Sequence, residues 1–340
     1  MAFEGSPGQR ALHEAFPPEY HQVLFPPEPD PPFEDPGELA ATWGQVWGAS
    51  DEVGVLRTVL VRRPGDEFRL IRADAWDPAV GALIDPAGAW YWTRREPPDL
   101  ARLAAQHEGL VAALEAAGAE VIVADPVSPT HIKGVYTRDP LITVPGGAIV
   151  SRMAPRTRRG EERDITGILG GLGIPILGTI VGRGMAEGGT FAKLRPGLAA
   201  FGQSIRCNAE GAAQIGEILA RIGWELIVVP IGGFAIHLDI HFAMVAPGVA
   251  LVDAPGLPYW FLERVRDEGI ECVWRHPDEP WAVNCLALRP GAVLMSQSAP
   301  RTAALLERRG IEVVTIPYDE FECNGGGVHC STMELKRDPA

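Results

Sequence analysis

The sequence predicts an α/β domain built from five strand–turn–strand–helix–strand units that close into a ring. Three observations predict it. A Pro-Gly pair recurs between apolar stretches, at Pro64-Gly65, Pro145-Gly146, Pro196-Gly197, Pro247-Gly248 and Pro290-Gly291. Each pair is followed by a helical stretch, a glycine and a short β-branched run, the glycines being Gly118, Gly173, Gly223, Gly269 and Gly310. No capping pattern bounds the series, so one five-bladed ring is expected and not an open solenoid.

Each element has a local reason. Proline presets φ for the first corner of a turn and glycine tolerates the second, so each pair predicts a hairpin between two strands. The first helix is typical of its class. Leu100, Leu103, His107, Leu110, Val111 and Leu114 recur at helical spacing, and Asp99 is placed to cap them. Glycine at each helix end predicts a left-handed stop. The turn-to-glycine gap is 54 residues in the first unit (118−64) but only 20 in the fifth (310−290). Unit one therefore holds an insertion, which includes Trp76, Trp90 and Trp92.

Ahead of the units lies a proline-rich, acidic extension, residues 1–45, leaving 46–340 as one catalytic domain. Nine prolines fall in residues 1–36, a composition that cannot build a packed core of its own. It reads as a tail or a strap on the body.

Composition narrows the function. Hydrophobic residues make up 46% and charged residues 22% of the 340, an ordinary balance for a globular chain with a sizeable core. The net charge of −14 argues against nucleic acid as a partner and suits a cationic small molecule. No apolar run is long enough to span a membrane, and Met1-Ala2-Phe3-Glu4-Gly5 does not begin like a signal peptide. Five cysteines without paired spacing argue against a disulfide framework. A cytoplasmic location is expected, and a homo-oligomer is compatible with everything above.

Candidate chemistry gathers in four stretches. Gly325-Gly326-Gly327-Val328-His329-Cys330 presents a thiol on a backbone free to approach a ligand closely. Ile236 to Phe242 alternates polar and apolar residues, which predicts a strand with His237, Asp239 and His241 on one face. Asp139 lies six residues before Pro145, Glu187 nine before Pro196, and Asp239 eight before Pro247. This similar register places all three acids at the start of the first strand of their units. In a closed ring such strand ends converge, so Asp139, Glu187, His237 and Asp239 should share one pocket with Cys330.

Thr137-Arg138-Asp139, Glu187-Gly188-Gly189, His237-Leu238-Asp239 and the glycine-rich stretch ending in Cys330 occur in the order found in the guanidino-group-modifying enzymes. The resemblance covers about residues 50 to 340. That superfamily includes arginine deiminases, dimethylarginine dimethylaminohydrolases and amidinotransferases, and shares the pentein fold. What the resemblance implies is a cofactor-free hydrolase of C–N bonds in a guanidino or related amidine or urea-like compound. By the same resemblance Asp139 and Asp239 would grip the guanidinium, Cys330 would attack its central carbon, His237 would act as acid and base, and Glu187 would orient His237 or the substrate nitrogens. A free thiol ionises near pH ~8.5, so Cys330 would need activation by the bound cation or by His237.

Two departures from the deiminase pattern point away from free arginine. Thr190 follows Glu-Gly-Gly where deiminases often carry aspartate, and Asn324-Gly325 stand where they carry arginine. Arg158, Arg159 and Arg206 remain as anchors for the far end of a substrate. Glu187, where transferases of the superfamily tend to carry aspartate, favours hydrolysis over amidino transfer. A different class, a metal-dependent hydrolase, would use His237, Asp239 and His241 as ligands. A third class, a catalytically silent binding protein, would have little reason to keep the thiol, the histidine and three acids in register.

Overall fold

In the computed structural model, which describes residues 30–233 and 235–340, units two to five form as the turns predict. Unit two runs β6 (Leu141–Val144), β7 (Gly147–Val150), α3 (Glu161–Leu172) and β8 (Ile176–Thr179). Unit three runs β9 (Phe191–Arg195), β10 (Leu198–Gln203), α4 (Ala209–Arg221) and β11 (Glu225–Pro230). Unit four runs β12 (Phe242–Ala246), β13 (Val249–Val252), α5 (Tyr259–Asp267) and β14 (Glu271–Trp274). Unit five runs β15 (Leu286–Arg289), β16 (Ala292–Ser296), α6 (Pro300–Glu307) and β17 (Glu312–Ile316). In each, the hairpin is antiparallel and the strand after the helix pairs in parallel with the middle strand.

Unit one corrects the expected hairpin at Pro64-Gly65. Strand β1 (Val55–Arg62) is parallel to β5 (Glu120–Ala124), which follows helix α2 (Leu100–Ala116), but its antiparallel partner is β18 (Met333–Asp338). The last strand of the sequence thus takes the place of the first strand of unit one. Gly65 accordingly lacks the positive φ of the four hairpin glycines, lying at φ −130° against +91° for Gly146. All five helix-ending glycines do adopt the left-handed region, where a side chain would be strained.

The insertion of unit one folds as a small antiparallel sheet of β2 (Trp76–Asp77), β3 (Ala82–Ile84) and β4 (Tyr91–Trp92). Asp99 caps α2 as expected, accepting from the Ala101 and Arg102 amides at 2.9 and 3.1 Å. Leu103, His107, Leu110 and Leu114 of that helix are buried. Of the proline-rich extension, residues 1–29 lie outside the described residues. Residues 36–43 form helix α1 (Pro36–Trp43), which buries Leu39. Glu34 and Phe33 beside it lie against the β6–β7 turn at Gly146. A short helix α7 (Asp319–Cys323) leads into the glycine-rich stretch.

No strand ladder links the five main sheets or the small one to another, and no sheet closes on itself among the described residues. They are joined by packing. Strand β12 packs on β9 and β15, β15 on β1, and β18 on β6. Ile142 and Ile149 of unit two share a core with Phe191 and Phe201 of unit three. The architecture is mixed α/β. A buried ionic group links units one, two and three. Glu334 of β18 meets Arg138 Nη2 at 2.6 Å and Lys193 Nζ at 2.8 Å, and Lys193 also reaches Glu52 at 3.0 Å. No helix among the described residues is long and apolar enough to cross a membrane.

Candidate active site

The acids arrive as their register predicts, just ahead of the first strands. Asp139 precedes β6, Glu187 precedes β9 and Asp239 precedes β12. The local backbone differs from the expected strand at residues 236–242. Leu238–Ile240 is a single turn of 3₁₀ helix, and β12 begins only at Phe242. Leu238 drives the turn by burying itself completely in the core, which leaves His237 and Asp239 buried at the site. His241 is carried away from them. Its Nδ1 lies 2.8 Å from Asp253 Oδ2, and Asp253 in turn pairs with Arg275. The metal trio His237, Asp239 and His241 therefore does not come together.

The thiol is held on two sides. The Asn284 amide donates from Nδ2 to Cys330 Sγ at 3.1 Å and accepts the Cys330 backbone N–H at Oδ1, also at 3.1 Å. Asp239 Oδ2 lies 3.3 Å from the sulfur and 2.9 Å from His329 Nδ1. Burial pushes the Cys330 thiol well up, and the carboxylates of Asp239 and Asp139 push it further. The glycines are sterically required. A Cβ on Gly325, whose φ is +91°, would lie 2.0 Å from Tyr91 Oη.

Around His237 the charges are paired. Its Nε2 lies 2.7 Å from Glu187 Oε2, and its Nδ1 lies 3.5 Å from Asp139 Oδ1. Burial disfavours the charged ring, but Asp139 and Glu187 outweigh it and raise His237 above the ordinary histidine range. Conversely, burial would raise both acids, yet His237 with Arg158 holds Asp139 below its usual value, and His237 with Arg206 does so for Glu187. Gly189 leaves room for this packing, since a Cβ there would stand 2.7 Å from both Asp139 Oδ1 and His237 Nδ1.

Arg158 pairs with Asp139 Oδ2 and with Glu161, and Arg206 Nη1 lies 2.9 Å from Glu187 Oε2. Arg159 instead donates to the Met153 carbonyl. Arg158 and Arg206 also line a cavity of about 600 Å³, together with Tyr91 and Lys133. No hydrogen bond joins Cys330 to His237 among the described residues. Asp139 Oδ1 and Asp239 Oδ1 are both buried and accept no hydrogen bond. Asp139, Glu187 and His237 offer atoms within 4.8 Å of one another, a spacing a metal ion could use. A metal there would compete with the arginine that each acid already faces and with the protonated ring that the two acids favour.

Sequence reasoning missed Asn284, the His329–Asp239 contact, and the pairing of Arg158 with Asp139 and Glu161. A signal for Asn284 existed. It stands two residues before β15 as Asp139 stands two before β6.

Comparison with known proteins now decides the family. Residues 94–337 match the family described as N,N dimethylarginine dimethylhydrolase, eukaryotic. The chain belongs to that family. It is thereby a member of the guanidino-modifying pentein superfamily, and its relatives named as dimethylarginine dimethylaminohydrolase and arginine deiminase are hydrolases of amidine C–N bonds. It is 25% identical over 238 residues to the N(G),N(G)-dimethylarginine dimethylaminohydrolase of Pseudomonas aeruginosa, covering 70% of this chain and 90% of that protein. The fold is that of the Pseudomonas aeruginosa enzyme complexed with citrulline, at a TM-score of 0.67 and 22% identity over 82% of this chain and 99% of that one. It is also that of SxtG, an amidinotransferase from Microseira wollei, at a TM-score of 0.65 and 17% identity over 86% of this chain and 98% of that one.

Proposed function

We propose that this hydrolase breaks a C–N bond of a guanidino or related amidine small molecule through a covalent thiouronium-type intermediate on Cys330. The observation that carries the reading is the pair of buried carboxylate oxygens, Asp139 Oδ1 and Asp239 Oδ1, that accept no hydrogen bond. A buried acceptor without a donor is costly, and a planar guanidinium is the ligand that brings several N–H donors and a positive charge together. Asp239 also lies 3.3 Å from the thiol, so a cation gripped there reaches Cys330.

Arrival of the cation offsets the two carboxylates that keep Cys330 protonated, the thiol proton passes to solvent, and the thiolate forms beside the electrophile it attacks. The Sγ–C bond forms and the electron pair of one C–N bond moves onto nitrogen. Imidazolium His237, its ring fixed by Glu187, protonates the departing amine. The ring is then neutral and takes a proton from water as the hydroxyl adds to carbon. Collapse breaks the S–C bond and releases a ureido product and the free thiol. Arg158 and Arg206 anchor the far end of the substrate from the cavity wall. The five units form a ring about a pseudo-fivefold axis. The sequence of packed strands, with β18 completing unit one, supports that arrangement.

The test measures released ammonia or amine and ureido product across a panel of guanidino compounds. Stoichiometric amine and ureido product, with Cys330→Ser inactive yet still binding, is the expected result. Amidino transfer to an added amine, with no ureido product, would replace hydrolysis by transfer. Full activity in Cys330→Ser would remove the nucleophile assignment.

A further inference from the structure

The cavity beside the site carries information about the substrate's tail. One wall comes from the insertion of unit one and is apolar, with Val80, Ala82, Ile84, Trp90 and Tyr91. The facing wall is cationic. Lys133, Arg158 and Arg206 line it, and no aspartate or glutamate lines the cavity among the described residues. Arg158 and Arg206 have acid partners behind the wall, but Lys133 has no ion pair among the described residues. Its ammonium donates to the Asn324 carbonyl and lies 3.8 Å from the centroid of the Tyr91 ring. Burial, with Arg158 and Arg206 nearby, holds Lys133 well below the usual lysine range, as expected of a cation with no anion in reach.

Resting on the function proposed above, we infer that the substrate is a guanidino acid with an apolar body and no free amine. A free α-ammonium would face Arg158, Arg206 and the Lys133 amine with no acid on the lining, an arrangement that repulsion from the two guanidinium groups penalises. A carboxylate there would instead meet Lys133 and the two arginines. At about 600 Å³ the cavity lies within the range of about 300–1,000 Å³ that holds drug-sized ligands, and it accommodates an acyl or aryl group against the Val80–Trp90 wall. Tyr91 joins the two halves, since it lines the cavity and its hydroxyl packs on Gly325 of the thiol-bearing stretch.

The experiment compares kcat/KM of the purified protein for Nα-benzoylarginine, Nα-acetylarginine, arginine, Nω,Nω-dimethylarginine and agmatine. The two acylated compounds should exceed arginine and dimethylarginine by at least about tenfold, and agmatine, an amine without a carboxylate, should be poorest. Lys133→Met should raise KM for Nα-benzoylarginine about tenfold or more while kcat stays within about twofold, and Lys133→Arg should restore it. Val80→Asp, which places an acid on an exposed part of the apolar wall, should narrow the preference over arginine. Preference for arginine or dimethylarginine, or an unchanged KM in Lys133→Met, overturns this inference and leaves the hydrolase reading standing. No turnover of any compound, with no binding to Cys330→Ser by calorimetry, overturns the underlying reading and this inference with it.

Discussion

Asn284 holds Cys330 through both ends of its amide, the oxygen on the backbone N–H and the nitrogen on the sulfur, each at 3.1 Å. In the proposed mechanism the contact orients Cys330 for attack without adding charge, and it favours the thiolate when that forms. Asn284→Ala should therefore lower kcat by about 10- to 100-fold, since a hydrogen bond to a charged group contributes about 1.5–3 kcal/mol. Single-turnover rates of adduct formation on Cys330 check this. An unchanged rate would show that the contact is packing alone.

Glu334 tests a structural role. It balances Arg138 and Lys193 in a fully buried group, and Arg138 ties that group to the thiol loop by donating its backbone N–H to the Cys330 carbonyl at 3.1 Å. Glu334→Gln leaves buried Arg138 without its ion pair and Lys193 with Glu52 alone, and should cost about 3–5 kcal/mol in urea unfolding. Glu312→Gln, which breaks the exposed Arg289 pair, should cost less than about 1 kcal/mol. Burial would raise Glu334, but Arg138, Lys193 and Arg337 hold it well below its ordinary value. Its stabilisation is thus present above the unfolded carboxyl value of about 4.3 and is lost as pH falls through the lower folded value.

What the sequence showed clearly was local. Hairpin glycines, helix stops and the Asp99 cap need only a few neighbouring residues, and they form as expected. The Pro64-Gly65 hairpin fails because the partner of β1 lies at Met333–Asp338, and nothing near residue 64 signals a strand so distant. The alternation at 236–242 fails for a different reason. A short period-two pattern is also met by a 3₁₀ turn that buries Leu238, and the turn delivers His237 and Asp239 to the site while turning His241 toward Asp253. Lys133 carries no motif and Asn284 only the register it shares with Asp139, so packing is what brings them to the cavity and the thiol.

His237 gives a pH prediction. Asp139 and Glu187 raise its value despite burial, which favours the imidazolium form. Its contribution to stability is fully present below the unfolded histidine value of about 6.5 and is lost as pH rises through the higher folded value. In the proposed role of general acid, its loss of the proton should also bend kcat downward on the alkaline side. The His237 ring proton followed by NMR should titrate above 6.5 in the wild type and lower in Asp139→Asn. A wild-type value below 6.5 would exclude the imidazolium role.

The thiol provides the last prediction, and it runs against a simple loss-of-function expectation. Burial raises Cys330 first, and Asp239 and Asp139 raise it further, so the free protein holds a neutral thiol at pH 7. Alkylation of Cys330 should be slow at neutral pH and accelerate only above the ordinary thiol range near ~8.5. Asp239→Asn removes the carboxylate 3.3 Å from the sulfur, so the thiolate becomes easier to form and alkylation at pH 7 should speed up. The same variant should lose substrate affinity, because a desolvated guanidinium loses its charged partner at a cost of about 2–5 kcal/mol. Faster alkylation with poorer kcat/KM separates the two duties of Asp239, binding the cation and restraining the nucleophile. Alkylation that slows in Asp239→Asn would instead make the carboxylate a base for Cys330, and the activation step would pass from the bound cation to Asp239.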